Sequence, residues 1–159
     1  MANIVFCDID GVLADNTHRL HYALEDKEYE KFYSAPEVSD DEVIEAGLEL
    51  LESLTNHSDD KVFYITGRNE CCRSATEMWI MRRLRKTVKI SAFRKDGDHR
   101  PSPEVKVEMI QKIKDLMPSY FVPHNYLYFI DDDPKNVEAV CKAFPEITGI
   151  TFGIGRFHE

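Results

Sequence analysis

The sequence predicts an α/β protein, a parallel five-stranded sheet with helices on both faces, and three observations predict it. Short apolar runs of strand length recur along the 159 residues, amphipathic helical patterns separate them, and three of the runs end abruptly in polar residues. Strands alternating with helices close a parallel sheet through crossover connections. The length suits one domain with a sizeable core rather than two full-sized ones.

The first run, Asn3-Ile4-Val5-Phe6-Cys7, is apolar on both faces, reads as a buried strand and ends at Asp8. The segment from Ala14 to Asp40 breaks the rhythm. Charged throughout and carrying Tyr22, Tyr29, Phe32 and Tyr33, it reads as a small cap or lid over about residues 14–40, inserted after the first strand. Ser39 with Glu42 forms a capping box ahead of a helix bearing Ile44, Leu48 and Leu51 on one face. Lys61-Val62-Phe63-Tyr64-Ile65 is the second strand, ending at Thr66-Gly67-Arg68, and a helix is expected from Glu70 to Lys86 with Trp79 in the core. Val88 to Phe93 is the third strand. Ser102-Pro103 then caps and opens a helix with Val105, Met109 and Ile113 aligned. Tyr126 to Ile130 is the fourth strand and stops at Asp131-Asp132-Asp133. Asp133-Pro134 opens the last helix, with Val137, Val140, Cys141 and Phe144 inward, before a fifth strand at Ile147 to Phe152. The expectation is one Rossmann-like domain over residues 1–159, without repeats, low-complexity tracts or linkers.

Composition narrows the class. Hydrophobic residues at 43% and charged residues at 31%, with seven Gly and seven Pro, exclude a disordered tail and a fibrous repeat. No apolar run has membrane-spanning length, and Met1-Ala2-Asn3-Ile4-Val5-Phe6 lacks a signal peptide's basic flank, so a cytoplasmic protein without a membrane partner is expected. Cys7, Cys71, Cys72 and Cys141 form no C-x-x-C pair and read as reduced, mostly buried thiols. A net charge of −9 opposes a surface uniformly adapted to nucleic acid. Yet residues 68–100 carry a local balance of +6, leaving −15 for the rest. This stretch either lines a polynucleotide backbone or, at Arg82, Arg83, Arg85 and Lys86, complements the end of a helix.

In a parallel sheet, residues just past the carboxyl ends of the strands share one crevice, where ligands bind. Asp8, Thr66 and Asp131 to Asp133 fall there. Aspartates after a strand are also ordinary turn formers. The functional alternative gives Asp8 and Asp10 different tasks. An ionised carboxylate attacks an electrophile without a base to activate it, and a second one, two residues on, protonates a leaving oxygen and then activates water.

Asp8-Ile9-Asp10-Gly11-Val12-Leu13-Ala14, Thr66-Gly67-Arg68, Lys106 and Ile130-Asp131-Asp132-Asp133-Pro134-Lys135-Asn136 resemble the four ordered motifs of the haloacid dehalogenase superfamily, spread over nearly the whole chain. The resemblance implies that Asp8 accepts the phosphoryl group, Asp10 is the general acid/base, Thr66 binds the phosphoryl group and Lys106 neutralises charge. It also implies Mg²⁺ as cofactor, held by carboxylates drawn from Asp8, Asp10, Asp131 and Asp132. Asp132 is the preferred ligand among the last acids, with Asp131 acting through water or from behind. Asp133 has the alternative of capping the helix at Pro134. Lys106 on its own would be a solvated helix lysine.

A closer resemblance is to the 3′-phosphatase domain of phage and bacterial polynucleotide kinase/phosphatases, carried by His18-Arg19, Arg68 and Arg94-Lys95-Asp96-Gly97-Asp98-His99-Arg100. It implies substrate contacts from Arg19, Gly67, Arg68, Arg94, Asp98 and Arg100. The family often has an acid just ahead of the lysine, where this chain has Ser102-Pro103-Glu104. No Gly-x-x-x-x-Gly-Lys-Ser/Thr loop is present, which leaves a phosphatase without P-loop kinase chemistry. Tyr22, Tyr29, Phe32 and Tyr33 either stack on a base or pack the lid's own core. His18, His21 and His99 are expected in surface or structural roles.

The expected activity is a Mg²⁺-dependent phosphomonoesterase removing 3′-phosphates from DNA or RNA ends, with a separate kinase or ligase as possible partner. The alternatives are a 5′(3′)-nucleotidase acting on free nucleoside monophosphates and a non-catalytic module that grips a phosphorylated end. Oligomeric state leaves no mark in the sequence.

Overall fold

The computed structural model describes residues 1–153. Strand β1 (Asn3–Cys7) leads into the lid segment, built from β2 (Ala14–Asp15), a 3₁₀ turn at Thr17–Arg19, α1 (Leu20–Leu24), α2 (Tyr29–Phe32), α3 (Ala35–Ser39) and β3 (Glu42–Val43). Then follow α4 (Glu45–Leu54), β4 (Lys61–Asn69), α5 (Arg73–Trp79), β5 (Ile90–Arg94), α6 (Ser102–Leu116), β6 (Tyr126–Asp131), α7 (Pro134–Ala143) and β7 (Ile147–Thr151). Residues 154–159 of the expected domain lie outside the described residues.

Five strands form one sheet in the order β5-β4-β1-β6-β7. Every pairing in it is parallel. The central strand explains the arrangement: Ile4, Val5, Phe6 and Cys7 are all fully buried, so β1 needs cover on both faces. One face packs Ile4, Phe6, Phe63, Ile65 and Phe129 against Val105, Met109, Ile110 and Ile113 of α6 and Val140 of α7. The other packs Val5, Cys7, Tyr64 and Ile130 against Leu51 of α4 and Trp79, Ile80 and Leu84. This is the α/β fold the alternating pattern predicts.

Helix boundaries correct the sequence reading in three places. The capping box does not form: Ser39 closes α3, Glu42 enters β3 opposite Asp15, and α4 starts three residues after Glu42 with Ile44 at its cap. Tertiary pairing of the lid's two short strands takes the residues that local capping would have used. The helix expected over residues 70–86 is a 3₁₀ turn at Glu70–Cys72, then α5, then a π turn at Ile80–Leu84 that ends at Arg85 in a left-handed conformation (φ 57°). At the last helix Asp133 is the cap, its carboxylate accepting from the Lys135 amide at 2.9 Å. Helix α6 begins at Ser102 itself, with Pro101 in the cap position, so Ser102 is its first helical residue and not the cap expected from the sequence.

Gly47 marks a close approach between α4 and the loop after β1. A Cβ on Gly47 of α4 would stand 1.7 Å from the Val12 carbonyl oxygen, so only glycine lets α4 sit on the loop after β1. The lid is tied to the body by Val38, which packs with Cys72 and Phe93 and against Tyr33. Cys7 and Cys72 are buried, Cys141 is half-buried and Cys71 is exposed, all as free thiols. Among the described residues no helix is long and apolar enough to cross a membrane.

Candidate active site

The carboxyl ends of β1, β4 and β6 converge where the apolar runs stop. Asp8 follows β1 directly, its amide donating to the Ile130 carbonyl oxygen at 2.9 Å, and Asp131 is the last residue of β6. Lys106, in the second turn of α6, reaches down between them. Its ammonium donates to Asp8 Oδ1 at 2.8 Å, Asp131 Oδ2 at 2.8 Å and the Ile65 carbonyl oxygen at 3.2 Å. Only 2% of Lys106 is exposed, so the solvated-lysine alternative is excluded. Burial alone would lower its pKa, but the two carboxylates outweigh burial and hold it above the usual lysine value, fully charged.

One lysine does not balance this group. Asp8, Asp131 and Asp132 each present an oxygen, all within 4.8 Å of one another. Burial pushes Asp8 well above the usual carboxylate range and Asp131 adds to it, although Lys106 opposes the shift. Burial and the Asp131 charge push Asp132 up to about 6. The buried Asn136 directs its amide nitrogen to both Asp131 oxygens at 3.2 Å, which leaves its carbonyl oxygen buried without a partner. An excess of negative charge, an all-oxygen donor set and an orphaned acceptor fit a hard divalent cation such as Mg²⁺. Asp131 is already engaged by Lys106, Asn136 and, at 2.9 Å, the Asp133 amide. Asp132 is the less committed carboxylate. It lies against Gly11, where a Cβ would fall 2.0 Å from Asp132 Oδ2 and where φ is +81°.

Asp10 stands apart from this triad. Its carboxylate pairs with Arg68, whose Nε donates to Oδ2 at 3.1 Å and whose Nη2 donates to Oδ1 at 2.7 Å. Burial alone would raise Asp10, yet Arg68, Arg19 and Lys106 together hold it below the usual carboxylate range. The Asp10 carboxylate oxygens face guanidinium, while the clustered carboxylates are those of Asp8, Asp131 and Asp132.

The arginines expected to bind and orient substrate all have protein partners in the structure. Arg19 is fully buried, giving Nε and Nη2 to Asp41 at 2.8 and 2.9 Å and Nη1 to the Phe32 carbonyl at 2.8 Å. Arg68 gives its remaining donors to Asp41 Oδ2 at 2.7 Å and Thr76 Oγ1 at 2.9 Å. Both stand behind Asp10 because a buried guanidinium must be surrounded by acceptors, and Asp41 supplies them. Arg94 staples its own loop, donating to the carbonyls of Asp98 at 3.1 Å and Arg100 at 2.7 Å. Arg100 pairs with Asp98 and Glu108, and Asp98 and Arg100 line a separate groove of about 270 Å³ beside β5 and α6.

The pocket over the carboxylates measures about 370 Å³. Asp8, Asp10, Gly67, Lys106 and Asp132 line it, with Asn16 and Leu20 from the lid segment at its edge. Gly67 opens onto free space, since a Cβ there would meet nothing within 4 Å. Thr66 is buried in β4, and its hydroxyl accepts from the Arg68 amide at 3.1 Å while donating its own proton to no described residue. Sequence reasoning assigned no role to Asp41 or to Asn136. Asn136 carries a signal, closing the last of the four motifs four residues after Asp132. Asp41 gives no local signal, being one acid in the run Asp40-Asp41-Glu42.

Comparison with known proteins follows the same lines. The description "Polynucleotide kinase PNKP phosphatase domain" matches residues 2–143, most of the chain. A chain of a Pnkp1/Rnl/Hen1 RNA repair complex superposes with a TM-score of 0.65 at 18% identity, covering 98% of this chain and 43% of that one. The present chain therefore spans less than half the length of that relative. A haloacid dehalogenase-like hydrolase family protein from Streptococcus pneumoniae gives 0.62 at 13% identity, covering 96% and 87%. An HAD family enzyme from Bacteroides thetaiotaomicron, crystallised with magnesium and inorganic phosphate, gives 0.53 at 12% identity, covering 98% and 96%. These likenesses establish the fold. No curated protein matches the sequence.

Proposed function

Because the chain belongs to the polynucleotide kinase PNKP phosphatase domain family of haloacid dehalogenase phosphatases, we propose that it removes 3′-phosphates from DNA or RNA ends, with Mg²⁺ as cofactor and a phosphoryl-aspartate on Asp8. The observation that carries this reading is the division of the site into two carboxylate environments: Asp8 held to Lys106 in an acidic, cation-seeking cluster, and Asp10 held to arginine.

Asp8, Asp132 and the free Asn136 oxygen would hold the ion, with Asp131 orienting from behind. Bound there, Mg²⁺ would supply positive charge to the phosphoryl oxygens. Lys106 fixes one Asp8 oxygen, leaving the other to attack phosphorus. A bond from Asp8 to phosphorus forms as the bond from phosphorus to the leaving oxygen breaks, and that oxygen takes a proton from Asp10. In the resting site Asp10 is ionised against Arg68. The arriving phosphate, with about −1.5 to −2 charges, opposes the arginines and lets Asp10 acquire that proton. In the second half Asp10 takes a proton from water, whose oxygen attacks phosphorus, releasing inorganic phosphate and restoring Asp8. Thr66 donates its free hydroxyl proton and Gly67 its backbone face to the phosphoryl oxygens.

A 3′-hydroxyl end is what a ligase joins, so a separate ligase or kinase is the partner class this reading implies. The test is phosphate release from a 3′-phosphorylated oligonucleotide, a 5′-phosphorylated one and a free nucleoside monophosphate, each with Mg²⁺ and with EDTA. Preference for the 3′ end, abolished by chelation, is expected. Preference for the monomer would make the protein a nucleotidase, and no turnover on any of the three would overturn the enzymatic reading.

A further inference from the structure

We propose that Asp41, between α3 and β3, is the positioning residue that fixes the acid/base Asp10, acting through the two buried arginines behind it. The inference rests on the acid/base assignment of Asp10 above. Asp41 is fully buried and lines no part of the catalytic pocket, yet its carboxylate binds both of the buried arginines that flank Asp10. Oδ1 accepts from Arg19 Nε at 2.8 Å and lies 2.9 Å from His18 Nε2. Oδ2 accepts from Arg19 Nη2 at 2.9 Å and Arg68 Nη2 at 2.7 Å. Its own main chain is pinned by the Trp79 indole, which donates to the Asp41 carbonyl at 2.9 Å.

The consequence is a charge-balanced square of two guanidiniums and two carboxylates, Arg19 and Arg68 with Asp41 and Asp10. Arg68 Nη2 bridges the two acids, donating to both. Arg19 favours Asp41, and its Nη2 stays 3.7 Å from Asp10 Oδ1. Asp41 therefore keeps Arg19 off Asp10 and aims Arg68 at one edge of it. Asp10 stays turned so that its exposed side opens to the pocket, with 30% of its side chain accessible. With the Asp41 charge removed, two guanidiniums would face a single carboxylate, and Asp10 would be clamped away from the leaving oxygen.

The test exploits leaving groups. A p-nitrophenolate departs without a proton, whereas phenolate, with a conjugate-acid pKa of about 10, needs one. Asp41→Asn keeps the shape and one acceptor oxygen but turns a donor toward the arginines. Its rate of phenol release in the first half-reaction, read as the pre-steady-state burst, is expected to fall by about tenfold to a hundredfold, at or below the usual ~10²–10⁴-fold worth of general acid catalysis. In the p-nitrophenolate burst the loss should stay under about threefold, with substrate affinity unchanged, and Asp10→Asn should show the same selectivity in this first half-reaction. Equal losses on both substrates, or no loss, would overturn the role of Asp41 while leaving Asp10 in place. Equal losses in Asp10→Asn itself would overturn the acid/base assignment and the Asp41 proposal together. Should Asp41→Asn not fold, Asp41→Glu, which retains the charge on a longer arm, carries the same comparison: a selective loss on phenyl phosphate supports the proposal and a uniform one refutes it.

Discussion

Replacing Lys106 by Met tests the buried charge cluster at its centre. The substitution keeps the volume of a long side chain but deletes the ammonium that bonds Asp8 and Asp131 at 2.8 Å each. Two carboxylates would then remain buried without their cation. Removing one partner of a buried ion pair costs about 3–5 kcal/mol. For a domain of this size each kcal/mol moves Tm by about 2–4 °C, which makes the expected fall about 6–20 °C. The sign of the pH dependence follows from the same cluster. Burial already raises Asp8, and Lys106 is what opposes it. Without the lysine Asp8 holds its proton to higher pH, so lowering the pH neutralises it in the folded state and relieves the repulsion. The destabilisation should be largest near pH 8 and shrink toward pH 5. Thermal melts of both proteins at the two pH values, in EDTA, measure it. A loss below about 2 °C at pH 8, or the same loss at both values, would refute the buried ion-pair account.

Gly11→Ala would place a methyl group where Asp132 Oδ2 now sits, at a residue with φ +81°; Mg²⁺ affinity by calorimetry should drop about tenfold or more, worth roughly 1.4 kcal/mol, and unchanged affinity would remove Asp132 from the ion's ligands. Because Asp132 is pushed up to about 6, protons compete with the ion below that pH. Mg²⁺ titrations followed by thermal shift should therefore show clearly weaker binding at pH 5 than at pH 7.5, and equal binding would contradict the assignment. Activity on a 3′-phosphorylated oligonucleotide should fall more steeply with salt than activity on p-nitrophenyl phosphate, as counterion release requires. Parallel salt curves would exclude a polynucleotide track along the chain.

The strands were the most legible part of the molecule. Ile4 to Cys7, Phe63 to Ile65 and Phe129 to Ile130 are uninterrupted apolar runs because the sheet is covered on both faces, and such runs announce themselves without any partner being known. Strand β4 runs on to Asn69 through polar residues that read as its end, because Asn69 still pairs with Arg94 after a shift in register. Asp8, Thr66 and Asp131 were legible for the same topological reason, each lying at or near the carboxyl end of a strand. Lys106 was legible only through its resemblance, since nothing local distinguishes a buried lysine from a solvated one. The burial of Arg19 and Arg68 was not legible because it depends on Asp41, which lies 22 residues from Arg19 and 27 from Arg68. A sequence displays a guanidinium's charge but not the acceptors folding will bring to it. The loop from Arg94 to Arg100 shows the same limit, its charges being largely spent on one another.

The central claim is that Asp8 carries the phosphoryl group. Acid quenching of the enzyme within milliseconds of mixing with a radiolabelled phosphomonoester and Mg²⁺, followed by peptide mapping, tests it most directly. The account predicts acid-stable, hydroxylamine-labile label on the peptide containing Asp8, absent from Asp8→Asn and accumulating in a variant whose second step is slowed, Asp10→Asn. Turnover without label on that peptide, or label that persists in Asp8→Asn, would contradict it.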